Sequence, residues 1–171
     1  VAGISLNGGV TKKAIKVAGD VMDHDIQNWF RNNHRLEIGD RTAEQIKIAV
    51  GSAMRSRSKN ILVKGRDLVS GIPKTIDVRS DEIRQALKDS VKRILEVVKD
   101  ALESTPPELS SDIIDRGILV AGGGAQLRGL DQVIREKTNV PCNVVEEPHL
   151  AIVKGCGKII EDLEKYKHVL I

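Results

Sequence analysis

The run Gly117-Ile118-Leu119-Val120-Ala121-Gly122-Gly123-Gly124 narrows the choice of folds more than any other part of the chain. A short apolar stretch opened by glycine predicts a strand over 117–121, buried on both faces. Three consecutive glycines then carry a high backbone entropy cost, and such runs occur where the chain passes very close to something. Beyond them the spacing predicts a helix over 126–137, a strand over 140–145 and a helix over 150–166. Strand, helix, strand, helix in succession argues for an α/β architecture with parallel strands covered by helices. The glycines would then sit at the carboxyl end of a strand, where open α/β sheets bind ligands and a helix N-terminus favours anions. A tight strand-to-helix turn without a ligand fits the same spacing, and a glycine loop alone does not separate the two.

The preceding half is organised differently. Val1 to Leu6 reads as a strand, Asn7-Gly8-Gly9 as a hairpin turn and Val10 to Val17 as its return strand, with Lys12, Lys13 and Lys16 on the wetter positions. Asp20 is placed to cap a helix whose apolar stripe is Met22, Ile26, Trp29 and Phe30 and whose end falls near Asn33. Thr42 followed by Gln45 matches a capping box for a short helix that Gly51 should close. Residues 52–60 lack periodicity and read as a loop. Short strands follow at 61–63 and 75–78, joined through Gly65, Gly71 and Pro73. Ser80 then caps a long helix with Ile83, Leu87, Val91, Ile94, Leu95, Val98 and Leu102 on one face, stopped by Pro106-Pro107. A short helical segment over 108–115 leads back to the glycine-rich region.

Charge and composition exclude several functions. The 171 residues carry 27 basic and 24 acidic side chains, interspersed to a net +3, which describes a solvated surface and not a nucleic-acid footprint. With one Phe, one Trp and one Tyr, the core must be aliphatic. Cys142 and Cys156 are far apart and, with the scattered histidines, match no disulfide or zinc spacing, so a reducing cytoplasm fits. No apolar run reaches the roughly 18 residues of a membrane span.

Other chemistry-bearing groups are few. Within Thr42-Ala43-Glu44-Gln45-Ile46-Lys47, Ile46 should face the core while Glu44 and Lys47 share the helix surface. They could hold a ribose hydroxyl and a purine edge, but from spacing alone a weak surface ion pair is favoured. Glu146 and Glu147 are adjacent in an extended segment and point opposite ways, so they are not an acid–base pair. The basic run 55–59 reads as a wet loop. No nucleophile arrangement or metal set can be placed.

Taken together the segments resemble the MreB family of bacterial actin-like proteins. The stretches that carry the resemblance are Ile4-Ser5-Leu6-Asn7-Gly8, Val17-Ala18-Gly19-Asp20 with Asp23, Ile38-Gly39-Asp40-Arg41-Thr42 through Lys47, and Gly51-Ser52-Ala53. Lys64-Gly65-Arg66-Asp67-Leu68 through Lys74, Thr105-Pro106-Pro107-Glu108-Leu109, and Gly122 to Ala125 with Leu127-Arg128-Gly129-Leu130-Asp131 continue it. Glu147-Pro148 and Gly155-Cys156-Gly157-Lys158 complete it. The similarity runs in order over nearly the whole chain. It departs from the family pattern at Val21, at His24 and over 150–154.

The resemblance implies domain II of an actin/Hsp70-type ATPase, an RNase H-like α/β domain with a small α+β insert. Subdomain IIA would comprise 1–34 and 79–171, and subdomain IIB 35–78. By the same resemblance Glu44, Gln45, Ile46 and Lys47 match positions that contact the nucleoside, which reverses the preference for a surface ion pair. Gly122, Gly123, Gly124 and Ala125 match the loop beside the ribose and phosphates. The implied cofactor is ATP, with Mg2+ held mainly by parts of the family fold that this chain lacks, including both phosphate loops. The full-length family is a weak ATPase, and the chain alone is expected to have no ATPase activity. The strand that precedes residue 1 in the family is expected to be missing from the sheet. That should leave a gap or a non-native pairing between the strands at 1–6 and 117–121, and poor independent stability.

The function implied is polymerisation into cytoplasmic, membrane-associated filaments that guide cell-wall synthesis and keep rod shape. The partners implied are further copies of the chain, a membrane-anchored cytoskeletal adaptor and the cell-wall elongation machinery. Membrane contact would run only through regions outside this chain, and no nucleic acid is involved. Two alternatives stand beside it: another actin-like filament, for segregation or organelle positioning, and a truncated module that binds filaments without ATPase activity.

Overall fold

Helix α1 (Gly19–His34) shows most directly how the apolar stripes build this molecule: Met22, Ile26 and Phe30 recur on one face, and all three are buried. The architecture is taken from a computed structural model that describes residues 1–5, 8–55, 57 and 59–167. The chain divides into two compact units. One comprises residues 16–94 and 127–130, the other 1–15, 95–126 and 131–171.

In the first unit α1 packs on α2 (Asp40–Val50), whose inward face is Ala43, Ile46 and Val50. Neither helix is capped as the sequence suggests. Ala18 and Gly39 hold the N-cap positions without side-chain hydrogen bonds, so Asp20 and Thr42 lie inside their helices. The physical reason is local: the helices begin two and three residues earlier, with Met22 N–H already bonded to Ala18 C=O and Ala43 N–H to Gly39 C=O. Gly51 does end α2, its N–H returning to Lys47 C=O at 2.8 Å. A Cβ there would fall 2.3 Å from that same oxygen.

Three antiparallel strands follow in the order β3 (Leu36–Glu37), β4 (Asn60–Asp67) and β5 (Pro73–Arg79). The hairpin is longer than its apolar residues announce, because Gly65 belongs to β4 and not to the turn. A Cβ at Gly65 would meet Glu37 C=O at 2.5 Å, so glycine is what lets β3 lie so close. Ser80 does not cap the next helix; its hydroxyl accepts the Lys59 N–H at 3.0 Å, and Arg79 occupies the N-cap. The expected long helix is present as α3 (Ser80–Ala86) and α4 (Lys88–Glu103). Hydrogen bonds from Leu87 N–H to Ile83 C=O and from Val91 N–H to Leu87 C=O bridge the break.

Among its described residues the second unit contains two sheets of two strands each. β1 (Ala2–Ser5) pairs antiparallel with β2 (Gly8–Lys12), with an irregular register between Gly3 and Ile4; Leu6 and Asn7 of the expected turn lie outside the described residues. β2 stops at Lys12, short of the expected Val17. After α5 (Pro107–Arg116), β6 (Ile118–Val120) pairs parallel with β7 (Cys142–Val144), in the register Ile118 to Cys142 and Val120 to Val144. The parallel pairing agrees with the sequence, but burial on both faces does not: Leu119 is 70% exposed. Among the described residues β6 pairs with β7 alone, and the face that carries Leu119 is open to solvent. Among the described residues β1 and β6 lie in separate sheets. A 3-10 turn (Gly123–Gln126), α6 (Leu130–Thr138), α7 (Ala151–Glu161) and α8 (Leu163–Tyr166) complete the chain.

Both cysteines are free thiols, Cys142 buried and Cys156 exposed. Burial pushes the Cys142 thiol pKa up, helped by the nearby Asp131 charge and opposed by Arg135. Among the described residues no helix is long and apolar enough to cross a membrane.

Candidate functional site

Glu44, Gln45, Ile46 and Lys47 occupy the middle of α2, in the first unit. Ile46 anchors the segment in the core, while Glu44 and Gln45 are exposed. Lys47 does not pair with Glu44. Its ammonium donates to Gly19 C=O at 3.0 Å and to Asp23 Oδ2 at 2.9 Å, both on α1. With side-chain exposures of 16% for Lys47 and 15% for Asp23, the ion pair is largely withdrawn from water. Asp23 Oδ1 is buried without a hydrogen-bond partner. Gly19 and Asp23 are therefore the site residues that sequence reasoning did not assign. They sit in a stretch that carries the family resemblance, but nothing in their spacing announced that they face Lys47.

The second group, Gly122 to Ala125, belongs to the other unit and is built separately. Gly122 has φ +89°, a left-handed conformation that an L side chain rarely adopts. Its N–H donates to Pro148 C=O at 2.7 Å, and its C=O accepts from Ala125 N–H at 3.1 Å, closing the 3-10 turn. Ala125 is buried and pins the turn. The loop thus follows the carboxyl end of β6, where ligand crevices of α/β sheets lie.

Gly123 and Gly124 differ from Gly122. A Cβ at either would meet nothing within 4 Å. Glycine there is not demanded by this chain's own packing, and the loop's surface is open at both positions. Beside the loop, Glu147 forms an ion pair with Lys154 that holds its carboxyl below the usual range. Glu146 and Glu147 are both exposed, in keeping with solvated carboxylates. Among the described residues no three His, Cys, Asp or Glu side chains cluster as metal ligands.

A separate concavity lies elsewhere in the first unit. It is an open, polar cleft of about 600 Å³ lined by His24, Gln27, Asn28, Arg31, Glu37 and Asp40 among others. Its groups largely satisfy one another: Gln27 donates to Ile38 C=O at 3.1 Å and to Asp40 Oδ1 at 2.8 Å, and its own carbonyl lies 3.0 Å from His24 Nδ1.

The family model described as MreB/Mbl protein matches residues 1–168. The chain is 46% identical over 166 residues to the cell shape-determining protein Mbl of Bacillus subtilis, covering 96% of this chain and 50% of that protein. It is 41% identical over 167 residues to the cell shape-determining protein MreB of Escherichia coli K12, covering 97% and 48%. Among solved structures, MreB5 of Spiroplasma citri bound to ADP superposes with a TM-score of 0.91 at 34% identity, covering 98% of this chain and 51% of that one. The chain therefore spans about half the length of these relatives. The fold is that of the actin-like ATPases, and the chain belongs to the MreB/Mbl family.

Proposed function

We propose that this chain forms the nucleoside-binding half of an ATP-dependent, actin-like cytoskeletal subunit that polymerises and helps set cell shape. The observation that carries this is the likeness, over 98% of the chain, to an MreB structure that holds ADP. Two local features support it. Lys47 presents an ammonium from a seat on α1, and Gly123 and Gly124 leave a surface that a ligand could approach at backbone distance.

In this reading Glu44 and Lys47 bind the nucleoside, with Gln45 beside them and Ile46 as their anchor. Gly122, Gly123, Gly124 and Ala125 lie along the ribose and phosphates. ATP with Mg2+ supplies the phosphoryl group whose hydrolysis regulates assembly. Residues 1–34 and 79–171 correspond to subdomain IIA and 35–78 to subdomain IIB, a division supported by the sheet β3–β4–β5 lying almost wholly in 35–78. The partners are further copies of the subunit, a membrane-anchored adaptor and the cell-wall elongation machinery, at the cytoplasmic face of the membrane.

The test is sedimentation of the protein at its full natural length, with ATP, with ADP and without nucleotide. Pelleting that requires ATP and is lost in Glu44→Ala supports the proposal. Assembly indifferent to nucleotide, or none under any condition, overturns it.

A further inference from the structure

We infer that Gly19 and Asp23 form a seat on α1 that fixes the Lys47 ammonium for the bound nucleotide, which makes Asp23 a positioning residue of the site. The inference rests on the nucleotide reading above, and goes beyond it by naming what holds the lysine.

An ammonium has three N–H donors. Gly19 C=O takes one at 3.0 Å and Asp23 Oδ2 a second at 2.9 Å, which leaves a third for an acceptor on a ligand. A lysine on its flexible four-carbon stem normally loses much rotamer freedom when it engages a ligand. Two protein acceptors that already hold it remove most of that loss from the binding step.

Three further observations favour positioning over mere packing. First, the contact between α1 and α2 is already supplied with apolar residues: Met22, Ile26, Ala43 and Ile46 are all at most 6% exposed. A withdrawn ion pair adds little stability to such a contact, because desolvation offsets its Coulomb attraction. Second, Asp23 Oδ1 has no partner, so among the described residues Lys47 is what the carboxylate serves. Third, a Cβ on Gly19 would fall 3.1 Å from Lys47 Nζ. The glycine leaves the ammonium room to reach the backbone carbonyl. A methyl there would push the flexible end of the lysine aside and leave the helix itself undisturbed.

The experiment titrates a fluorescent ATP analogue into the full-length protein and into Asp23→Asn, Lys47→Met, the double variant and Gly19→Ala, each also melted without nucleotide. Loss of one charge-assisted hydrogen bond predicts about tenfold weaker binding for each single variant. The double should be no weaker than Lys47→Met, since Asp23 acts through Lys47. Gly19→Ala should weaken binding while its melting without nucleotide stays close to wild type, which decides the matter if Asp23→Asn folds poorly.

If Lys47→Met weakens binding and both Asp23→Asn and Gly19→Ala do not, the seat is overturned while the nucleotide reading stands. Losses that multiply in the double variant overturn it as well, as does a Lys47→Met protein that binds like wild type. A wild-type protein that binds no nucleotide removes the nucleotide reading and this inference together.

Discussion

The guanidinium of Arg128 donates a hydrogen bond to Ala49 C=O at 2.7 Å, joining residues that are 79 apart in sequence. Ala49 lies in the last turn of α2, where backbone carbonyls have no intrahelical partner and a positive charge is favoured. The backbone of Arg128 reinforces the link, its C=O accepting Ala53 N–H at 2.8 Å beside the Ser52–Arg128 bridge. Arg128→Ala should therefore destabilise the unit that carries α2 by about 1 kcal/mol, the scale of one partly exposed charge-assisted hydrogen bond. Urea unfolding of the two proteins at equal ionic strength measures it. No change would mean that the backbone contacts alone end the helix.

Asp67 organises the tip of the β4–β5 hairpin. Its Oδ1 accepts the N–H groups of Val69 and Ser70 at 2.8 and 2.9 Å, and its Oδ2 accepts from Lys74 Nζ at 2.9 Å. The Ser70 bond, then Lys74, then Val69 hold its carboxyl well below the usual carboxylate range. A folded-state pKa below the unfolded value, about 3.9 for Asp, gives stability that is complete above the unfolded value. That stability is lost progressively as pH falls toward the folded one. Between pH 5 and pH 2 the wild type should lose more stability than Asp67→Asn, which cannot ionise. Thermal melts across that range check the sign, and parallel curves would show that the carboxylate is not linked to folding.

Glycines that look alike in the sequence should behave oppositely. Gly65→Ala would drive a Cβ to within 2.5 Å of Glu37 C=O, and overpacking of this kind costs about 1–3 kcal/mol. Gly123→Ala meets nothing within 4 Å and should leave stability within about 0.5 kcal/mol of wild type. If the loop lies against a nucleotide, Gly123→Ala should weaken nucleotide binding all the same. Melting and nucleotide titration of the two variants separate a glycine kept for packing from one kept for a ligand.

The thiols give a simple check on burial. Cys156 is exposed and Cys142 buried with a raised pKa, so alkylation at neutral pH should label Cys156 first and reach Cys142 only on unfolding. Mass spectrometry of the peptides after a short iodoacetamide pulse would show it. Equal labelling of both would place Cys142 at the surface.

The parts of the fold legible in the sequence are those with long periodic signals. Met22, Ile26, Trp29 and Phe30 were read as one helix face, of which all but the half-buried Trp29 are buried, and the glycine-bounded run at 117–121 marked a strand that does pair in parallel. Short or cooperative features were not legible. β3 is only Leu36–Glu37, too short for periodicity, and exists because β4 lies beside it. Asp20 and Thr42 are good caps by type, yet backbone bonding from Ala18 and Gly39 starts each helix earlier. For the candidate site, Lys47 was assigned through a resemblance in sequence, whereas its contacts on α1 were not legible there. The Asp23 and Gly19 contacts, 24 and 28 residues distant, arise only when α1 and α2 pack together.

Nucleotide binding at Glu44 to Lys47 and at Gly122 to Ala125, each proposed above, is tested most directly by photolabelling. The full-length protein would be irradiated with 8-azido-ATP and digested, and the labelled peptides mapped. Label is expected on the peptides holding Glu44 to Lys47 or Gly122 to Ala125, abolished by excess ATP. Label confined to other peptides, or undiminished by ATP, would contradict it.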